Sequence, residues 1–378
     1  MSSRLAATAL LLLPLIASSV CAVSHSRSSY ARAAAAQFAA SAPRRAVARP
    51  PPRRVPGSAP PLGHIYAVAQ NGTNNLLNLV DVDLDTWETR VGPTLPPGLD
   101  TFGQAALYDA ATLPGTPLLW VFLFSAADNL VAGFDVATGA LAVTLNCSSW
   151  PGGGPYFISD IFAHGGPGEL LVVGSYGSAA PGVQTLYAVS GAGGPAPSVA
   201  ALGNITCGGI GGYCGDAALD VSRSLLFQVS GEDDTDDSGS LVVTNIATLA
   251  PVAAFALDAH FEFPQWDAAT QSLIGLSLGT GGPNGYYRNV TLLVDPARGA
   301  LNESSRGTIG GGFYVILSDG PKAFDAASRR LFVMLAGGPF AEFDVVTIDV
   351  DSSPPKIDEA PPLCGFIGYC PQGFAFGS

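Results

Sequence analysis

The sequence predicts an all-β fold assembled from repeated four-stranded units. Three observations predict it. A short apolar run ending in aspartate recurs and restarts after a tight turn. The apolar runs are four to eight residues long, which suits strands rather than helices. The chain of 378 residues contains Gly 46 and Pro 30, and these residues punctuate turns between short elements.

The recurring segment appears as Ala105-Ala-Leu-Tyr-Asp109-Ala-Ala-Thr followed by Leu118 to Phe124, and as Ala217-Ala-Leu-Asp220-Val-Ser followed by Leu225 to Val229. It returns as Gln265-Trp-Asp267-Ala-Ala-Thr before Leu273 to Leu278, and as Ala323-Phe-Asp325-Ala-Ala-Ser before Leu331 to Leu335. A degenerate copy, Ile161-Phe-Ala-His164-Gly-Gly, precedes Leu170 to Gly174. The marker positions 109, 164, 220, 267 and 325 are 55, 56, 47 and 58 residues apart, the pitch of a propeller blade. A second segment closes four of the five copies with its own turn, at Asp135, Asn245, Asp295 and Asp349. Each of these side chains is expected to accept hydrogen bonds from its own turn's backbone, a structural role.

A single four-stranded unit cannot bury both its faces. Packing such units radially around an axis does so and leaves only short edges. The first unit begins late, with strands at Ile65 to Ala69, Leu79 to Leu84 and Trp87 to Val91 and a Pro-rich stretch where its first strand belongs. The C-terminal Cys370-Pro-Gln-Gly-Phe-Ala-Phe-Gly-Ser378 aligns with Cys214-Gly-Asp-Ala-Ala-Leu-Asp-Val-Ser222 and supplies that strand. Five whole units and one shared unit make a six-bladed β-propeller closed by pairing of N- and C-terminal strands, with seven blades as the alternative.

This pattern resembles the six- and seven-bladed β-propeller superfamily, including NHL-type, YVTN-type and gluconolactonase-like repeats, over about residues 64–378. The resemblance rests on strand pattern and the aspartate turn and implies architecture rather than activity. The Gly-His and Trp-Asp signature of WD40 repeats and the kelch Gly-Gly doublet are not matched, and the metal ligands of gluconolactonase-like enzymes have no residue-by-residue counterpart.

Residues 1–22 read as a signal peptide, with Arg4 as the positive region, an apolar run from Leu5 to Ile16, and small residues before a cleavage point at Ala22. Residues 23–62 read as a disordered Arg/Ala/Pro-rich linker, and residues 63–378 as the propeller domain. The protein is therefore expected to be secreted or extracellular. The alternatives are retention in the secretory-pathway lumen or entry to a plastid through a two-part presequence. No later stretch is apolar for long enough to span a membrane.

The formal net charge of −13 hides an asymmetry. Residues 1–63 carry eight arginines and no acid, leaving nine basic and all 30 acidic residues after position 63. Such a surface repels nucleic acid and anionic lipid and suits cations or basic partners.

Five N-glycosylation acceptors begin at Asn71, Asn146, Asn204, Asn289 and Asn302. The simplest disulfide pairing in an oxidising compartment is Cys207–Cys214 and Cys364–Cys370. Cys147 is left over: free, paired between chains, or a sign that the pairing differs.

The first strand of each blade lines the axis of a propeller, so residues four or five positions before the turn aspartate face one channel mouth. They are Gln104, Asp160, Asp216, Glu262, Asp319 (set further back) and Gln372. Clustered carboxylates repel unless a cation or basic group sits among them, and a hard cation such as Ca²⁺ takes oxygen ligands. The acidic run Glu232-Asp-Asp-Thr-Asp-Asp-Ser-Gly239 imitates half of a calcium loop, but Asn245 stands where the bidentate Glu belongs, so it reads as a solvated hairpin tip. There is no Gly-x-Ser-x-Gly elbow, and His260 with Glu262 is the one acid–base pairing to test. The four tryptophans, Trp87, Trp120, Trp150 and Trp266, share no spacing and read as core.

The expected function is that of a secreted, monomeric glycoprotein propeller binding a protein, glycan or cation through one face. The alternative is a metal-dependent hydrolase or lactonase-like enzyme with its site at the channel mouth.

Overall fold

The computed structural model of the chain describes residues 63–377, apart from 72–75, 87, 98, 109–117, 125–128, 156, 165–167, 176–181, 193–195, 208–213, 232–238, 259–260, 280–285, 310–313, 317–321, 338–341, 354–355 and 359–368. All described residues belong to one unit, Ala48–Ser378.

The described residues form six antiparallel sheets. The first contains β1 (His64–Asn71), β2 (Leu77–Asp83) and β3 (Thr89–Thr94); the second β4 (Asp100–Tyr108), β5 (Leu118–Phe124), β6 (Asn129–Asp135) and β7 (Leu141–Asn146). The third is built from β8 (Phe157–Ala163), β9 (Glu169–Ser175), β10 (Val183–Ser190) and β11 (Ser198–Thr206). The fourth is β12 (Ala217–Asp220), β13 (Leu225–Gly231), β14 (Gly239–Asn245) and β15 (Ala250–Leu257). The fifth is β16 (Phe261–Asp267), β17 (Ser272–Gly279), β18 (Tyr286–Asp295) and β19 (Ala300–Ile309). In the sixth the first strand is broken into β20 (Tyr314–Ile316) and β21 (Lys322–Asp325), both paired with β22 (Arg330–Gly337), which is followed by β23 (Glu342–Asp349) and β24 (Lys356–Asp358).

The final strand, β25 (Tyr369–Gly377), returns to the first sheet and pairs antiparallel with β1, Phe374 opposite Ala67 and Phe376 opposite Ile65. The chain ends meet in one sheet, as the alignment of the C-terminus with Cys214–Ser222 requires. The innermost strands β25, β4, β8, β12, β16 and β21 touch in that order, and β21 touches β25 again. Six sheets around one axis, each with its first strand innermost, define a β-propeller.

The core lies between the sheets. Leu119, Val121 and Leu123 of β5 pack toward Val68, Leu77 and Leu79 of the first sheet. Trp120 and Phe122 of the same strand pack toward Ile158, Val172 and Tyr187 of the third. The second strand of a blade is thus buried on both faces, so it reads as an unbroken apolar run; burying each such side chain contributes about 1.5–3 kcal/mol. The outermost strands alternate instead: β7 and β11 are largely exposed, because only one face meets a neighbour. Trp120 and Trp150 are buried, and Trp266 stacks on Phe227 with centroids 5.1 Å apart; Trp87 lies outside the described residues.

The aspartate turns do what their sequence demands. Oδ1 of Asp83, Asp135, Asp220, Asn245 and Asp349 each accepts the backbone N–H groups two and three residues on. Asp267, Asp295 and Asp325 serve their own turns similarly. The fourth residue after the marker is left-handed, with φ near +60° at Ser224, Leu249, Gln271 and Arg329 and at Gly139 and Gly299. Asp109 lies outside the described residues.

Candidate functional site

Of the carboxylates expected at the channel mouth, Asp160, Asp216 and Glu262 are described, and the first two meet around one lysine. Asp160 lies opposite Val173 in β9, and Glu262 opposite Leu276 in β17. Asp216 immediately precedes β12, its carbonyl accepting the N–H of Val229 at 3.0 Å. In each case the partner is the fifth residue of the second strand, so all three occupy one level of three successive inner strands. All three are buried, Asp160 completely.

Irregular backbone aims two of them. The register of β8 shifts between Ile158 and Asp160, and that of β16 between Glu262 and Gln265. Such bulges redirect side chains near sites. In β16 the bulge holds buried Phe263 at φ +53°. It also brings the Glu262 carbonyl so near Gly275 that a Cβ there would lie 2.6 Å from it. Gly275 is therefore the residue that lets this bulge form.

The group that completes the cluster is one the sequence reading did not single out. Lys322, the first residue of β21, is buried and points its ammonium into the axis. Nζ lies 3.5 Å from Asp160 Oδ1 and 3.3 Å from Asp216 Oδ2, and donates to the Ala217 carbonyl at 2.9 Å. The expectation that clustered carboxylates need a positive charge holds for Asp160 and Asp216, and a side chain supplies it. The available signal was a lysine three residues before turn residue Asp325, in a segment whose equivalents are apolar.

A neutral seam continues from this cluster between the third and fourth sheets. Gln228, opposite Ala217, donates through Nε2 to Gln184 Oε1 at 2.6 Å. Gln184 Nε2 in turn lies 3.2 Å from Ser159 Oγ and 3.3 Å from Ser175 Oγ. Both glutamines are buried, where such bonds must be made within the protein.

Of the other predicted mouth residues, Asp319 lies outside the described residues, in the break between β20 and β21. Gln104 falls in β4 and Gln372 in β25, both innermost strands. His260, Cys364 and the acidic run 232–238 also lie outside the described residues.

Cys207 and Cys214 form the expected disulfide. Cys147 is a free, buried thiol, which burial pushes up to about 12. Of the glycan acceptors, Asn146, Asn204 and Asn302 are exposed on the outermost strands β7, β11 and β19, and Asn71 is half-buried at the end of β1. Asn289 lies within β18.

A second polar cluster sits on the first sheet. Buried Asp81 receives His64 Nδ1 on Oδ1 and Arg90 on Oδ2, both at 2.8 Å, and the His64 ring stacks on Tyr66. Both carboxylate oxygens are engaged within the sheet, so the cluster closes on itself.

The fold and the axial cluster define a β-propeller. No protein-family model matches the chain, and no curated protein matches it. Among solved structures it is similar to hydrazine synthase of Kuenenia stuttgartiensis, with 11% identity and a TM-score of 0.47 over 79% of this chain and 80% of that one. TolB from Acinetobacter baumannii matches at 11% identity and a TM-score of 0.46, over 76% of this chain and 60% of that one. The Cps50 (Swd1) β-propeller domain of Myceliophteria thermophila matches at 11% and 0.44, over 79% and 88%. Among the described residues no helix is long and apolar enough to cross a membrane.

Proposed function

We propose that this protein is a secreted, N-glycosylated propeller that binds a basic partner protein through the face at which its inner strands begin. The observation that carries this reading is a segregation of charge between the two ends of the sheets. Links joining the second strand of a blade to the third, and the fourth to the next blade, leave from that end. They hold Asp128, Glu232, Asp233, Asp234, Asp236, Asp237, Asp258 and Glu359, besides Asp216 buried against Lys322, and no lysine or arginine. The turns at the opposite end hold Arg223, Arg298 and Arg329 beside their aspartates, so charge there is mixed and largely paired. A field of one sign at one face steers and retains partners of the other sign.

Secretion is supported by the N-terminal signal pattern and by a disulfide, which persists in oxidising compartments. Glycosylation is supported by three acceptors exposed on the rim. The metal-dependent alternative needs a cation among the mouth carboxylates, and the Lys322 ammonium already lies between two of them.

The test uses the secreted chain and an immobilised oligo-arginine peptide, with a neutral peptide of equal length as reference. The wild type is expected to bind the arginine peptide with an affinity that falls steeply with salt. Neutralising Glu232, Asp233, Asp234, Asp236 and Asp237 to their amides should weaken binding at least tenfold. Equal binding to both peptides, or no loss on neutralisation, overturns the reading.

A further inference from the structure

We propose that the propeller axis carries a cation site built from Asp160, Asp216 and the Ala217 carbonyl, filled in cis by Lys322, so that the ring is tied across its centre without a metal. The three elements involved are not neighbours. In the ring of inner strands, β21 stands three places from β8 in either direction and two from β12. Lys322 therefore spans the full width of the axis to Asp160, and on the side of β12 it pairs with Asp216 and donates to the Ala217 carbonyl.

The geometry fits that role. The ammonium donates one hydrogen bond, to the Ala217 carbonyl, and lies within 3.5 Å of two carboxylate oxygens. Lys322 is 3% exposed and Asp160 0%, so neither charge has water to stabilise it in the other's absence. The arrangement is what a bound cation would make: oxygen ligands from separate strands gathered on one positive centre. Tethering that centre to β21 replaces the loss of a free ion's entropy with that of one side chain. It also couples the broken inner strand of the sixth sheet to the opposite side of the ring. Breaking such a buried group is costly because the remaining charge is stranded, whereas removing every charge together is tolerated.

Thermal unfolding of the full chain, with EDTA and then with millimolar calcium, tests this. The wild-type melting temperature is expected to be the same in both. Lys322→Met should lower it by about 5–10 °C or abolish folding, because Asp160 and Asp216 are left facing one another. The triple variant Lys322→Met, Asp160→Asn, Asp216→Asn should fold and recover more than half of that loss. A Lys322→Met protein that melts with the wild type, or a triple variant no more stable than Lys322→Met, overturns the proposal. So does a calcium-induced rise in the wild type that disappears in Asp160→Asn, Asp216→Asn, since the site would then not be filled by Lys322.

Discussion

Arg329 in the sixth sheet places its guanidinium 2.7 Å from Asp267 Oδ2 in the fifth, while its Nε bonds Asp351 at 2.9 Å. The arginine also lies over the Phe324 ring. One residue thus joins two sheets at the end of the propeller opposite the acidic links. Asp267 is completely buried, so its charge depends on this partner and its turn. Arg329→Ala should cost about 2–3 kcal/mol in urea unfolding. A change under about 0.5 kcal/mol would show that the contact does not hold the sheets together.

Acid should weaken the fold through the turn aspartates. Burial alone would raise the carboxyls of Asp220 and Asp267, but it is outweighed. Ser222 and Arg223 hold Asp220 below its ordinary value, and Thr270, Arg329 and the Ala269 N–H do the same for Asp267. A folded-state value below the unfolded one means that the native state binds fewer protons at low pH. The stability these groups contribute is present above about pH 4 and is lost as pH falls through their folded values. Urea midpoints measured from pH 6 to pH 2.5 should fall below about pH 4, and less steeply in Asp267→Asn. A flat profile would contradict this.

The left-handed turn position separates backbone strain from crowding. At Gly299, with φ +62°, a Cβ would meet nothing within 4 Å. Gly299→Ala should therefore cost only the conformational term, about 1 kcal/mol. At Gly139, with φ +70°, a Cβ would lie 2.7 Å from Pro93 Cδ and 3.1 Å from Gly92 Cα. Gly139→Ala should cost more, about 2–3 kcal/mol. Urea midpoints of the two variants should fall in that order.

Cys147 should resist alkylation. The thiolate is the reactive form, and a thiol pushed up to about 12 by burial has almost none at neutral pH. Iodoacetamide at pH 8 should leave Cys147 unmodified in the native protein and label it in urea, as read by peptide mass spectrometry. Rapid native labelling would mean that the packing around it opens readily.

Glycan occupancy should follow exposure. In protein expressed through a secretory pathway, Asn146→Gln, Asn204→Gln and Asn302→Gln should each remove one enzymatically cleavable glycan, seen as a mass decrease. Asn146 also caps the short turn after β7 by accepting the Ser148 N–H at 2.9 Å, so its variant should lose a little stability as well.

The strand pattern and its turns were determined by the sequence alone because their causes are local. An aspartate that bonds the backbone two and three residues on, as Asp135 and Asp349 do, needs no other part of the chain. The pairing of β25 with β1 was legible for a related reason: a unit lacking its first strand and a tail resembling one imply each other. Asp160, Asp216 and Glu262 were singled out because they sit four or five residues before a repeated turn. Only the tertiary structure decided what stands between them. Lys322 meets Asp160 across the axis, and Gln228 meets Gln184 across two sheets, through spacings of no fixed period. Those contacts are set by how the sheets are arranged around the centre, which the order of residues within one sheet does not encode.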